Sequence, residues 1–293
     1  MKHILVFFVL LHLTFSSSVC KKEFEETVCE NFNFSSDLLH SNDTNKLTIR
    51  NAQGSIIPEN FAKLYQLTEM KITESTITSV KPGVLCSLPN LTSITISNNC
   101  QFPKITKDVF QGCQNIKRIN LDGSNLQIEN TAFIDALELQ TLTLNDTIFP
   151  SRLAGLDSMK SLTIQHSNCT IIEKDAFTNL KNLKFLDLQY NKIQTIAVGS
   201  FEQLSQLKVL NLADNELDLT WDEFNGLKSL KVLFLERNNF RKVNVSKLVA
   251  SVPNLERIFF SYNQLEPESR KQIEEILPKL NVTFIYGFSE INQ

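Results

Sequence analysis

From Leu67 to the neighbourhood of Leu280 the chain repeats one arrangement of apolar and polar positions nine times in succession. Leu183-Lys-Phe-Leu186-Asp-Leu188-Gln-Tyr-Asn191, Leu207-Lys-Val-Leu210-Asn-Leu212-Ala-Asp-Asn215 and Leu230-Lys-Val-Leu233-Phe-Leu235-Glu-Arg-Asn238 all fit L-x-x-L-x-L-x-x-N. The units begin at Leu67, Leu91, Ile116, Leu139, Met159, Leu183, Leu207, Leu230 and Leu255, in steps of 20 to 25 residues. A fixed period in that range marks a solenoid. A degenerate unit (Leu47, Ile49, Phe61, Leu64) precedes them and counts as the first; a half-unit follows at Leu280. The L-x-L pair has the period of a strand, with Leu186 and Leu188 inward and Phe185, Asp187 and Gln189 outward. Strands from successive units are therefore expected to stack into one parallel sheet on the concave side of an α/β solenoid, with irregular loops or short helices on the convex side.

The Asn that closes the motif (Asn99, Asn191, Asn215, Asn238, Asn263) falls where the chain leaves the strand. Its amide can satisfy backbone groups that would otherwise be buried and unpaired. Ser75, Ser124, Thr147 and Ser167 replace it with a hydroxyl, which has a single donor, so those turns should be less completely satisfied. The short fifth unit, Leu139 to Ser158, adds to the expected irregularity of the middle. Phe61, Phe110, Phe133, Phe177, Phe201 and Phe224 recur in the second half of the units and predict an aromatic row behind the sheet. The segment Glu268 to Leu277 follows Pro267 and places Ile273, Ile276 and Leu277 on one face, which predicts a short helix.

This constellation resembles the typical, phenylalanine-spine class of extracellular leucine-rich repeats, to which Toll-receptor ectodomains and secreted insect leucine-rich immune proteins belong. The resemblance covers residues 44–286 and implies a leucine-rich repeat horseshoe that recognises partners by its concave sheet and flanks, in innate immunity or cell-surface signalling. The terminal cysteine cluster of many receptor relatives and the long C-terminal coiled coil of many insect members are missing from the pattern, so dimerisation through such a coil is not implied.

Ahead of the repeats, Lys2 and the apolar run Ile4 to Phe15, followed by Ser16-Ser17-Ser18, read as a secretory signal peptide over 1–18. A capping segment is expected over 19–43, the solenoid of about ten repeats over 44–286, and a polar tail over 287–293. No later stretch has the length of a membrane span, and no lipid-anchor tail is present, so the expected product is secreted, extracellular and without a stable membrane anchor. Without Lys2 the balance is 28 basic against 32 acidic residues, a formal charge of −4. That argues against nucleic acid as a partner, which wants a basic stripe. Six cysteines in a secreted chain imply disulfide bonds. Cys20 and Cys29 can close a capping loop; Cys86 and Cys113 can bridge adjacent repeats. Cys100 and Cys169 lie three repeats apart, roughly 15 Å at about 4.8 Å per strand, beyond the ~7 Å reach of a bond. Cys169 reads as a buried free thiol, and Cys100 as a free thiol or an intermolecular linker.

Outward positions of the middle repeats carry small polar groups such as Ser93, Thr95, Thr141 and Thr163. Those of repeats seven to ten carry Phe185, Tyr190, Val209, Val232, Phe234, Phe259 and Tyr262 beside Asp187, Glu236, Arg237 and Arg257. Aromatic and arginine side chains dominate interface energetics, so this set is the expected ligand-binding surface, with none of its apolar members in the core. Glycan acceptor signals occur at Asn33, Asn42, Asn90, Asn145, Asn168, Asn244 and Asn281; a sugar on Asn145 would cover the middle of the concave face. His40 and His166 are the histidines that remain after the leader, and His166 has no partner at metal-ligand spacing. No catalytic or phosphate-cradling motif occurs. Neither enzyme activity nor a cofactor or metal is expected. The leading expectation is a secreted, glycosylated recognition module for a protein or microbial surface ligand. The alternative is a structural, matrix or adhesion component that self-associates. Oligomeric state stays open.

Overall fold

A computed structural model describes residues 19–34, 43–61, 63–97, 104–148, 150 and 152–285. The proposed leader, His40, Asn42, Asn99, Cys100 and the polar tail lie outside the described residues.

One turn of the repeat leaves its leucines with nothing to cover them, and the chain solves this by laying each turn on the last. Among the described residues, thirteen strands form a single sheet in chain order, from Val19–Glu23 to Thr283–Ile285. Only the first pair, Val19–Glu23 with Glu26–Glu30, is antiparallel, and the Cys20–Cys29 disulfide ties that hairpin across directly opposed residues. Every later pairing is parallel and keeps motif residue against motif residue: Leu162 faces Leu186, Leu186 faces Leu210, Leu210 faces Leu233, and Leu233 faces Ile258. These inward residues are fully buried in one continuous core. Burial of each such side chain contributes about 1.5–3 kcal/mol. Two-stranded pairings form a second, broken ladder on the flank: Gln53–Ile56 with Thr76–Val80, and Ile171–Ile172 with Thr195–Ile196.

The aromatic row is present and fully enclosed. Phe177, Phe201 and Phe224 stack in sequence at 5.9 and 6.5 Å, and Phe110 lies 5.4 Å from Phe133. Leu153 takes the corresponding position in the short fifth repeat and interrupts the row, with Leu156 in the column of Leu180 and Leu204. That repeat lies directly on its neighbour: at Gly155 (φ +77°) a Cβ would stand 2.6 Å from Ile134 Cα. Cys86 and Cys113 are bonded between adjacent convex loops. Cys169 is a buried free thiol whose pKa burial pushes up to about 12.

The asparagines do what the motif predicts. Asn215 Nδ2 donates to the carbonyls of Leu188 (3.0 Å), Leu212 (3.1 Å) and Ala213 (3.0 Å), and its Oδ1 accepts from Ile193 N (3.0 Å). Asn191, Asn238 and Asn263 repeat the pattern one turn apart. Ser75 and Ser167 occupy the same place with one donation each, to Thr73 O and Gln165 O. Ser124 does not: it is exposed and bonds Asp146, because the strand Arg118–Leu126 runs on and shifts register between Asp122 and Leu126. The predicted C-terminal helix is Pro267–Ile276. A second helix, Val245–Ser251, was not legible as one; Asn244 Oδ1 caps it by accepting from Lys247 N, and Val245 and Leu248 are its buried contacts.

Asn215→Ala takes the shared amide partner from three carbonyls and from one backbone N–H in a buried turn. The expected loss is about 3 kcal/mol or more, at about 1–3 kcal/mol per orphaned group. Ser75→Ala strips a single hydroxyl and should cost clearly less; urea denaturation followed by circular dichroism compares the two, and equal losses would contradict the ladder's role.

Candidate functional site

The concave face is set by which side chains point away from the core, and the register orders them into rows. The first row runs Ser161, Phe185, Val209, Val232, Arg257; the second runs Thr163, Asp187, Asn211, Phe234, Phe259. Apolar and aromatic groups therefore gather toward the later repeats. Phe234 and Phe259 are half-buried, outside the core, and stack with centroids 4.6 Å apart and planes 15° from parallel. Phe185 and Val209 are also half-buried. Aromatic pairs of this kind contribute about 0.5–1.5 kcal/mol beyond their burial.

A further row projects from the left-handed residue that precedes each closing position: His166, Tyr190, Asp214, Arg237 and Tyr262, with φ between 51° and 59°. The imidazole of His166 stacks on Tyr190 at 4.9 Å. The Arg237 guanidinium lies 4.5 Å over the Tyr262 ring and 3.7 Å from Asp214. Tyr190 and Tyr262 remain about half exposed, at 45% and 55%. Between the rows, Asn211 Nδ2 donates to Gln189 Oε1 (2.9 Å), and Gln189 Nε2 donates to Asp214 (3.1 Å).

Two of the expected surface residues need correction. Asp187 and Val232 point to the concave side but are 8% and 7% exposed. Curvature crowds the inner face, so the flanking turns close over them. Gln165 Nε2 (2.9 Å) and Gln189 N (3.0 Å) donate to the Asp187 carboxylate, which braces the network instead of meeting solvent. Desolvation raises the Asp187 pKa against those hydrogen bonds. Glu236 is half-buried; desolvation raises its pKa too, with Asp214 adding to the shift and Arg237 opposing it. Its Oε2 is buried without a hydrogen-bond partner. Arg257 is exposed, next to Val232. In the sequence Gln189 stands out only as an outward position and His166 only as a histidine without metal-ligand spacing, and Asn211 not at all; the signal for the surface was their spacing of one period from Asp214, Tyr190 and Phe234.

The acceptor asparagines are unequally placed. Asn90, Asn168, Asn244 and Asn281 are exposed, and Asn33 is half-buried. Asn145 is half-buried on the concave sheet, its amide donating to Asp122 Oδ1 at 3.0 Å. Among the described residues no group of three or more His, Cys, Asp or Glu is arranged to hold a metal, and no helix is long and apolar enough to cross a membrane.

A stacked parallel sheet with a closing-asparagine ladder and a phenylalanine row defines a leucine-rich repeat solenoid. Comparison with known families agrees. The leucine rich repeat model matches residues 157–217 and 182–240, and the BspA type leucine rich repeat region (6 copies) matches 32–152. The chain belongs to the leucine-rich repeat family. Human Toll-like receptor 8 is 29% identical over 143 residues, 42% of this chain and 14% of the receptor. Among solved structures, the complex of TLR13 with ssRNA superposes with a TM-score of 0.67 at 23% identity, covering 77% of this chain and 33% of that one. The Drosophila Toll–Spatzle complex gives 0.69 at 18% identity, covering 83% and 34%. The chain thus spans one-seventh of its human relative's length and about a third of the receptor chains it superposes on.

For both Asp187 and Glu236 the raised folded-state pKa means that the folded protein holds protons the unfolded chain has released. Stability should therefore fall as pH climbs from the ordinary carboxylate value through the raised one. Glu236→Gln should remove part of that slope, seen as a flatter dependence of the urea midpoint on pH from about 4.5 upward. An unchanged slope would show that the Glu236 carboxylate is as well solvated folded as unfolded.

Proposed function

We propose that this chain is a secreted recognition module that binds a protein or microbial surface ligand through the concave face of repeats seven to ten, in innate immune recognition. The reading rests on one observation: half-exposed aromatic and cationic side chains, with Phe234 stacked on Phe259 and Arg237 over Tyr262, gather at one end of a face whose middle is small and polar. Clustered exposed apolar groups mark interaction sites, and aromatic–arginine sets supply most hot spots. Val232 and Asp187 serve the site from beneath, by packing and by bracing the Gln189 network. The relatives support the class of activity. One solved neighbour is a receptor in complex with the protein Spatzle, and the human relative is a Toll-like receptor. The disulfides fit an oxidising, extracellular compartment.

Another neighbour is in complex with single-stranded RNA. On the candidate face the exposed Arg237 and Arg257 stand beside the half-buried carboxylates of Asp214 and Glu236, which gives mixed charge and no basic stripe to track a phosphate chain. A protein or glycoconjugate partner fits that charge better.

The test presents purified protein to three probes: extracellular fluid proteins, microbial surface preparations and single-stranded RNA, with light scattering of the protein alone alongside. Capture from either of the first two is expected, weakened at least tenfold (about 1.4 kcal/mol) in Phe234→Ser/Phe259→Ser, while the thermal midpoint moves by only a few degrees. Undiminished capture by that variant would remove the proposed surface. Capture of RNA alone would overturn the partner class, and self-assembly at low concentration would favour the structural alternative.

A further inference from the structure

Among its described residues the short fifth repeat supplies no flank strand of the kind its neighbours have. Ile105 bridges Ile128 on one side of it, and Ile171–Ile172 pairs with Thr195–Ile196 on the other. Between these ladders Ile148 N donates to Leu126 O and Ala154 N to Asn130 O, and the described residues of the turn add no flank strand. Two recesses result, of about 340 and 470 Å³, with Ile148 in the wall of both. Each is far larger than the ~10–15 Å³ that seats one water. Ile148 and Ile171 line the smaller recess and are 46% and 50% exposed, which leaves apolar surface open at the gap.

Asn168 and Thr170 line the same recess. Both are exposed, and Asn168-Cys169-Thr170 is a complete acceptor signal. Among the candidate acceptors, Asn145 has its amide committed to Asp122 and Asn90 to Tyr65 O. The Asn168 amide has no hydrogen-bond partner among the described residues, and a left-handed backbone (φ 51°) carries it at the rim.

We propose that Asn168 carries an N-linked glycan whose first sugars occupy this recess and stand in for the missing flank strand. A pyranose presents C–H groups on its faces and hydroxyls at its edge. Its faces would lie against Ile148 and Ile171, and its hydroxyls would meet Asn125 and Glu173 at the rim. The sugar thereby covers apolar surface that would otherwise invite association. The inference rests on passage through the secretory pathway, part of the function proposed above.

Glycopeptide mass spectrometry of the full chain secreted from animal cells tests it first, with Asn168 expected to be occupied. The folded protein is then treated with a peptide-N-glycosidase and probed with the dye ANS. Removal of sugar should raise ANS fluorescence roughly twofold or more, as newly exposed apolar surface does, and should leave Ile148→Ser/Ile171→Ser unchanged. Enzymatic removal acts on protein already folded, so a folding defect cannot mimic the result. Sugar on Asn244 or Asn281 with Asn168 bare overturns the inference and leaves the secretory reading intact. Bare peptides at every acceptor of the secreted chain likewise overturn the inference alone, whereas a chain that never reaches the medium overturns both. An occupied Asn168 whose removal leaves ANS fluorescence unchanged overturns the packing role.

Discussion

No single turn of this chain can bury its own leucines. A unit of 20 to 25 residues encloses too little volume to surround two inward side chains, so each turn takes its neighbours as the missing walls of its core. Everything else in the molecule answers to that requirement. The strands must run parallel and in register, because a slip of one residue would turn every leucine to solvent. The backbone must also leave each strand sharply, which would strand carbonyls in the interior. The closing asparagine resolves the second problem: Asn191, Asn215, Asn238 and Asn263 each gather carbonyls from their own turn and from the preceding one. Packing and polar satisfaction are thus carried by the same interface, turn against turn.

This explains why the architecture was legible in the sequence and the detail of the face was not. Inward positions are fixed by a period, so Leu186, Leu210 and Leu233 could be placed without coordinates, as could the row of Phe177, Phe201 and Phe224 and the free thiol of Cys169. Outward positions are fixed only in direction. Whether an outward side chain is exposed depends on how tightly the sheet curves and what stands beside it. Asp187 and Val232 point as expected yet are enclosed, one by Gln165 and Gln189, the other between Val209 and Arg257. Ser124 failed for a different reason: a hydroxyl in the right column cannot by itself end a strand, and there the ladder simply continues to Leu126. The helix Val245–Ser251 escaped because its two buried residues, Val245 and Leu248, are too few to reveal a helical period.

The two ends of the concave face differ for the same physical reason. In the middle, residues such as Thr141, Thr143, Ser161 and Thr163 pair across long strands and fill the pleat with small groups. From Phe185 onward the asparagine turn cuts each strand to three residues, and the freed backbone turns outward sooner. Large side chains then have room to stand on the face, and Phe234 and Phe259 meet as a stacked pair.

The left-handed residue before each closing position separates what belongs to the repeat from what belongs to the site. A non-glycine residue there costs about 1–3 kcal/mol, and the chain accepts this at Glu74, Asp146, His166, Tyr190, Asp214, Arg237 and Tyr262 alike. Because it recurs in turns with no aromatic surface, the strain is a property of the turn, offset by the polar bonds of the residue that follows. Glycine would relieve the backbone cost but would display nothing. What changes along the arc is the side chain carried in this posture. Glu74 gives way to His166 against Tyr190 and then to Arg237 between Asp214 and Tyr262. The same local geometry thus serves closure throughout the solenoid, and in its later turns it also holds a line of rings and charges at the edge of the open face.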